Sequence, residues 1–239
     1  MNAWQRFLSD LLEQSPLILH GLGQTLWLAG VVSVTGFLGG IAVLYAAVSR
    51  STTLRAITKG YLSFFIGTPL LVLLFLGYYG APQLGVKLAP FTVALVGFTL
   101  NVAAYNAAYL MSAWNGLDAA EMEAARAQGF SHSQVFRLIA LPQVLRRSVP
   151  ALTNQVILNL KDSAIAFLIQ YTEFFARVQE LAATNFQFFK AYLLAALVYL
   201  SLVAGSTSPW FDSSRLRIAW RTTAPSTVKG QVLCGWSPL

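Results

Sequence analysis

Two adjacent charged residues, Lys161 and Asp162, lie inside a mainly apolar segment at residues 149–170, close to Asn154. Charge inside a bilayer is costly, and such residues usually face a protein interior or a water-filled path. An ammonium beside a carboxylate can hold a small ligand that carries one group of each charge. The pair therefore predicts a translocation path or gate. A salt bridge between subunits, or a pair at a helix end near the membrane interface, is the structural alternative.

A proline occupies the middle of another apolar segment, residues 60–80, where Thr68 precedes Pro69. Proline removes a backbone donor and bends a helix. Irregular backbone at membrane depth is tolerated only beside protein or water, so the freed carbonyl groups can line a pathway. Thr68 and Pro69 are thus candidate path residues, with a simple helix kink as the alternative.

Catalytic and metal-binding patterns are missing from the sequence. It contains no HExxH, GxSxG or GxxxxGK[ST] pattern, and its paired acids are Glu121 and Glu123 in a polar segment. One cysteine and two distant histidines cannot form the usual zinc clusters. We therefore predict no catalytic residue, no metal site and no enzyme activity in this chain.

The composition indicates a membrane protein. Hydrophobic residues make up 56% of the 239 residues and charged residues only 10%, against about 25% charged residues in soluble domains. Five apolar segments have about the length needed to cross a bilayer, at approximately 25–48, 60–80, 89–114, 149–170 and 188–204. We expect an all-α integral membrane protein with about five transmembrane helices.

Basic residues orient these spans. They concentrate between spans one and two, between spans three and four, and after span five. The positive-inside rule then puts the N-terminus outside and the C-terminus inside a bacterial cytoplasmic membrane. It also explains the net charge of +7 without nucleic acid. Residues 3–13 have the spacing of a short amphipathic helix, so residues 1–16 are predicted to form an interfacial segment.

The long polar connection at residues 115–148 is predicted to be a cytoplasmic helical hairpin. Asp118 can cap a helix over 119–127, and Gly129 can break it. Ser131 can cap a second helix that runs to about residue 140, where Pro142 is expected to stop it.

The hairpin sequence resembles the EAA loop of ABC-importer permeases. The matching residues are Glu123, Ala124, Ala125, Gly129, Ile139, Leu141 and Pro142. Small alanines allow close approach to a partner, a glycine permits the bend, and the glutamate offers a charge to a basic groove. The resemblance implies that these residues couple the chain to an ATPase.

Further stretches resemble the polar amino-acid permeases of the histidine/glutamine type. These are GQTLWL at 23–28, YLSFFIGTPLL at 61–71, LPQ at 141–143, PALTN at 150–154 and KDSAI at 161–165. The resemblance implies a cytoplasmic ABC ATPase dimer that holds ATP and Mg, a second permease subunit, and an external solute-binding protein. No cofactor is expected in this chain. The resemblance also favours Asp162 and Ser163 as path residues.

Four positions depart from that family. Charged residues are usual where this chain has Ser63, Ile66, Ala108 and Met111. Either this subunit belongs to a heterodimer and does not bind substrate itself, or its substrate is less polar; the missing charges favour a heterodimer.

The transmembrane domain is predicted to span residues 17–204. Residues 205–239 form an atypical tail, expected to be disordered, which reflects an altered reading frame or a lineage-specific sequence. A passive channel, a structural membrane protein and an integral-membrane enzyme are the alternative functions.

Overall fold

The computed structural model describes the backbone of residues 3–211 and the side chains of residues 4–205. Within that range every regular element is helical, which confirms the all-α prediction. The α-helices are α1 (Ala3–Ala47), α2 (Thr52–Gly67), α3 (Leu70–Phe75), α4 (Pro90–Asn115), α5 (Ala119–Ala127), α6 (His132–Gln134), α7 (Leu141–Asp162), α8 (Phe174–Asn185) and α9 (Phe188–Phe211). Two π-helical segments (Leu76–Gly80, Val135–Ala140) and two 3-10 segments (Ala81–Leu84, Ser163–Ile169) link them.

Three helices of the described chain are long and apolar enough to cross a membrane: Trp4–Ala47, Pro90–Asn115 and Phe188–Gly205. A fourth span is added if Thr52–Gly67 and Leu70–Leu84, bent by 100°, count as one. The fourth predicted span, residues 149–170, is not among them. Its helix α7 carries two arginines as well as Lys161 and Asp162, and it gives way to a 3-10 segment at Ser163. The count of five spans therefore stays a prediction.

The first helix differs from the predicted short N-terminal helix. Residues 3–13 do not form a separate short helix, because α1 continues for 45 residues through Pro16. Pro16 cannot bond the Leu12 carbonyl, but the Ser15 hydroxyl donates to that oxygen at 2.8 Å. At about 1.5 Å per residue the helix is longer than a bilayer is thick.

Near the C-terminus, helix α9 runs to Phe211, which is seven residues past the expected end of the apolar sequence at Ala204. The remaining tail, residues 212–239, lies outside the described residues. One compact unit ends at Ala195 and a second begins at Ala196, within α9.

Glycines on α1 allow it to pack closely against α4. A Cβ atom built on Gly36 would lie 2.5 Å from a methyl carbon of Val102, and one on Gly40 would lie 2.7 Å from the Cβ of Asn106. Small residues at such contacts let two backbones approach in a membrane. The α1–α4 pair is therefore the scaffold on which the shorter elements are placed.

A buried glutamate fixes the segment that follows α7. Glu173 is fully buried and caps α8 by accepting from the backbone amides of Phe175 at 2.8 Å and Ala176 at 2.7 Å. Its carboxylate also accepts from the Thr25 hydroxyl at 3.0 Å, and that hydroxyl accepts from the Phe174 amide at 3.1 Å. These bonds attach the start of α8 to α1.

The second predicted span breaks at Pro69. Thr68 is extended (φ −100°, ψ 128°), as is common for a residue before proline. Pro69 has no N–H group to bond the carbonyl oxygen of Phe65 four residues earlier. The side-chain amide of Asn101 on α4 donates to that oxygen at 2.9 Å. The freed acceptor is therefore satisfied, and the broken end of α2 is attached to α4.

We expect Gly40→Ala to lower the thermal stability of the detergent-solubilised protein, because the added methyl group would push α1 away from α4. Overpacking of this kind costs about 1–3 kcal/mol, or several degrees in the melting temperature. Gly30→Ala is the matched control, since a Cβ there meets nothing within 4 Å. An equal melting temperature for the two variants would contradict the proposed role of the close contact.

Asn101→Leu should also destabilise the protein, since it leaves the Phe65 carbonyl without a donor while it keeps the branching and the number of heavy atoms of the side chain. An unsatisfied buried acceptor costs about 1–3 kcal/mol. The control is Asn115→Leu, a change at the exposed end of the same helix. Thermal melting in one detergent compares the two, and a stable Asn101→Leu protein would show that the bond is dispensable.

Candidate functional site

A cavity of about 370 Å³ lies between the broken end of α2, α4 and α7. Its volume is in the range of small-molecule sites in proteins. The polar side chains that line it are Thr68, Asn101, Tyr105, Tyr109, Gln155 and Asp162. Apolar side chains, including Ile66, Leu70 and Ile165, line the rest.

Hydrogen bonds fix the walls of this cavity. The Tyr61 hydroxyl donates to the Leu100 carbonyl at 2.5 Å and reinforces the attachment of α2 to α4. On α7, the Gln155 amide donates to the side-chain oxygen of Asn159 at 3.0 Å, and the Asn159 amide donates to the Ser33 hydroxyl of α1 at 3.2 Å. All three walls are thereby joined to the α1–α4 scaffold.

Gln155 has one unused acceptor. Only 5% of the surface of Gln155 is exposed. Its side-chain oxygen has no hydrogen-bond partner in the described part of the chain. Gln155 also lines a second cavity of about 260 Å³, which Asn106 shares. Gln155 thus lines both cavities, and its side-chain oxygen is an unsatisfied acceptor.

The predicted path residues divide into two groups. Thr68, Pro69 and Asp162 line the 370 Å³ cavity. Asn154 and Lys161 are exposed on α7 and are not among the lining residues. Ser163 is buried, and its hydroxyl donates to the Leu160 carbonyl at 2.8 Å, which caps the end of the helix.

Lys161 and Asp162 consequently do not hold one ligand in this cavity. Successive residues of an α-helix point about 100° apart, so neighbouring side chains diverge. The hypothesis that both contact the same amino acid is therefore corrected for this cavity. Asp162 is the last residue of α7, so the pair does lie at a helix end, although the described part of the chain shows no salt bridge between its members.

Sequence reasoning missed Asn101, Tyr105, Tyr109 and Gln155 as lining residues. Asn101 both lines the cavity and bonds the Phe65 carbonyl. A signal was available, because polar side chains recur every four residues at Asn101, Tyr105 and Tyr109. Residues four apart share one helix face.

The predicted hairpin has the expected caps. Asp118 accepts from the Ala120 amide at 2.9 Å and starts α5. Gly129 has a φ of +86°, a conformation that favours glycine, and no atom lies within 4 Å of its missing Cβ. Ser131 and Gln134 form a reciprocal capping box with bonds of 3.3 and 2.8 Å.

Pro142 does not stop the second helix, which corrects the sequence prediction. The π-helical segment Val135–Ala140 carries the chain directly into α7, and the Leu141 amide bonds the Phe136 carbonyl five residues earlier. Pro142 then lies in the first turn of α7, where a missing N–H group is tolerated. The second arm of the hairpin, from His132 onward, and α7 therefore form one continuous helical stretch.

The EAA-type residues are partly surface and partly core. Glu123, Ala124, Gly129 and Pro142 are exposed. Ala125 is buried, Ile139 is half-buried, and Leu141 packs against the core cluster that contains Leu44 and Phe136.

Other contacts of the hairpin complete this surface. The Gln143 amide donates to the Glu121 carboxylate at 2.7 Å and joins α5 to α7. Sequence reasoning missed Phe130 and Leu138, which are 37% and 64% exposed on the same hairpin. Phe130 is an apolar residue in a turn, between Gly129 and Ser131, which was an available signal, whereas Leu138 beside Ile139 gave none.

Residues 36–208 match the family described as "Binding-protein-dependent transport system inner membrane component". The chain is 37% identical over 196 residues to the "Probable amino-acid ABC transporter permease protein PatM" of Vibrio harveyi, which covers 81% of this chain and 88% of that protein. It is 32% identical over 196 residues to the "Arginine transport system permease protein ArtQ" of Bacillus subtilis, with 82% and 90% covered.

Solved structures agree with this match. A chain from the "Crystal structure of an amino acid ABC transporter with histidines" superposes with a TM-score of 0.79 at 28% identity, over 87% of this chain and 97% of that one. The inward-facing MetNI methionine ABC transporter shares the fold, with a TM-score of 0.67 at 20% identity over 87% of this chain and 97% of that one.

These matches do not favour a passive channel or a membrane enzyme. Permeases of this kind work with an ATPase, which hydrolyses ATP in a separate chain, and with a second permease. The chain therefore belongs to the family of binding-protein-dependent transport system inner membrane components and is a multi-pass permease subunit of an ABC importer.

Proposed function

We propose that this chain forms part of the translocation path of an amino-acid importer and that its hairpin couples the path to a cytoplasmic ATPase. The 370 Å³ cavity carries the proposal, because it gathers polar side chains and Asp162 within a bundle of apolar helices. The relatives named for arginine and L-cystine transport support an amino acid or a similar small polar solute as the substrate.

The exposed polar face of α7 supports a second permease beside this one. Asn154 and Lys161 are exposed in the single chain, yet an amide or ammonium group is costly against lipid. We expect this face to meet the second subunit or the water-filled path between the two.

A heterodimer is the arrangement we propose. Ser63, Ile66, Ala108 and Met111 stand where charges are usual in the polar amino-acid permeases that this chain resembles. A second permease of different sequence would supply the missing charged groups.

The coupling surface is proposed to comprise Glu123, Ala124, Phe130 and Leu138, all of which are exposed. ATP and Mg are expected in the partner ATPase, and no cofactor in this chain. Because the second arm of the hairpin, which carries Leu138, continues into α7 without a break, a displacement of that arm would move Gln155 and Asp162 with it. Such a link is what alternating access between two states needs.

The proposed orientation places the hairpin in the cytoplasm, with the N-terminus outside and the C-terminus inside. Arg126, Arg137, Arg146 and Arg147 are all exposed around the hairpin, which supports this by the positive-inside rule. An external solute-binding protein would then deliver substrate to the opposite side.

Replacement of Leu138 by glutamate should detach the ATPase. A carboxylate without a partner in a closed interface costs about 2 kcal/mol or more, so ATPase recovery with the tagged chain should fall at least tenfold. ATP-driven uptake of radiolabelled arginine, cystine or glutamine into proteoliposomes should fall with it. Mass spectrometry of proteins that co-purify from native membranes provides the first measurement.

Leu84→Glu is the matched control, because Leu84 is 85% exposed and lies between α3 and α4, away from the hairpin. Undiminished ATPase recovery with Leu138→Glu would overturn the coupling surface. If no ATPase co-purifies with the unmodified chain, the proposed function is overturned. Recovery of a second permease of different sequence would support the heterodimer, and recovery of this chain as the sole permease would refute it.

The proposed orientation can be tested with the only cysteine of the sequence, Cys234. In right-side-out membrane vesicles, a membrane-impermeant maleimide should label Cys234 only after permeabilisation. In a Cys234→Ser background, Leu84→Cys should be labelled without permeabilisation, since it lies between the second and third predicted spans. The reverse pattern would invert the topology.

A further inference from the structure

We propose that this chain's cavity binds the amine end of the substrate and gives the substrate carboxylate no charged partner. Asp162 would hold the ammonium group, and an apolar or aromatic body would lie against the remaining wall. This inference rests on the proposed function, because it assigns the charge selectivity of the same cavity.

The formal charge of the cavity lining is of one sign, negative. Asp162 is the only charged residue among the described residues that line the cavity. Gln155 adds a second acceptor, since its buried side-chain oxygen has no partner while its amide nitrogen already donates to Asn159. An ammonium group has three donors and no acceptor, so it matches a carboxylate and an amide oxygen.

The two tyrosines suit the same ligand. Tyr105 and Tyr109 lie four residues apart on α4 and both line the cavity. The faces of aromatic rings attract cations and repel anions. Ile66 and Ile165 provide apolar surface for the body of the ligand.

A carboxylate has no comparable partner here. Lys161, the nearest cation in sequence, is exposed and is not among the lining residues. A carboxylate that leaves water and finds no cation loses the free energy of its hydration without a compensating interaction.

The test uses a matched pair of probes, phenethylamine and 3-phenylpropionate, which share a ring and chain length but carry opposite charges. Binding is measured to the full chain in phosphatidylcholine nanodiscs. We expect saturable binding of phenethylamine and at least tenfold weaker binding of 3-phenylpropionate. Asp162→Asn should weaken phenethylamine binding at least tenfold, whereas Glu13→Gln, which removes an exposed carboxylate of α1, should leave it unchanged.

Three results would overturn the inference: equal binding of the two probes, binding of neither, or unchanged binding by a folded Asp162→Asn protein. Folding of each variant is checked by circular dichroism and size-exclusion chromatography. Failure here is distinct from failure of the proposed function. A chain that recovers the ATPase and supports amino-acid uptake, yet shows no charge preference, remains a permease without this selectivity.

Discussion

The carbonyl oxygen of Phe65 is the group on which the cavity depends. Pro69 cannot bond it, and water does not reach the hydrocarbon region to replace the lost donor. Asn101 supplies the donor from α4. One side-chain amide therefore permits the 100° bend and sets the distance between the broken helix and α4. Since Asn101 itself lines the cavity, the bond that permits the bend also forms part of the site.

Proline has a different consequence at Pro142. There the preceding π-helical segment widens the turn, the Leu141 amide bonds Phe136, and the helix continues. Pro69 thus creates a bend that lines a cavity, while Pro142 is accommodated in a helix that remains continuous. The difference lies in the neighbouring hydrogen bonds, because both prolines lack the same N–H group.

This comparison explains what the sequence could and could not predict. The caps at Asp118 and Ser131 and the turn at Gly129 were predictable, because each depends on a side chain or a φ angle within a few residues. The outcome at Pro142 was not, since a π-helical turn has no marker as local as a cap. The cavity was half predictable: Pro69 and Asp162 stand out along the chain, but Tyr105 joins them only once α4 is packed beside α7.

The path from hairpin to cavity follows from these local outcomes. Helix α7 begins directly after the π-helical segment and ends at Asp162. Its last turn is attached to α1 through Asn159 and Ser33, while its first turn is attached to α5 through Gln143 and Glu121. A rotation of α7 would therefore exchange hydrogen bonds at both attachments as well as the position of Asp162. One of these two bonds joins neutral groups and the other ends on a carboxylate, so each is worth about 1–3 kcal/mol net. The fold can therefore hold α7 in one state and still release it for another.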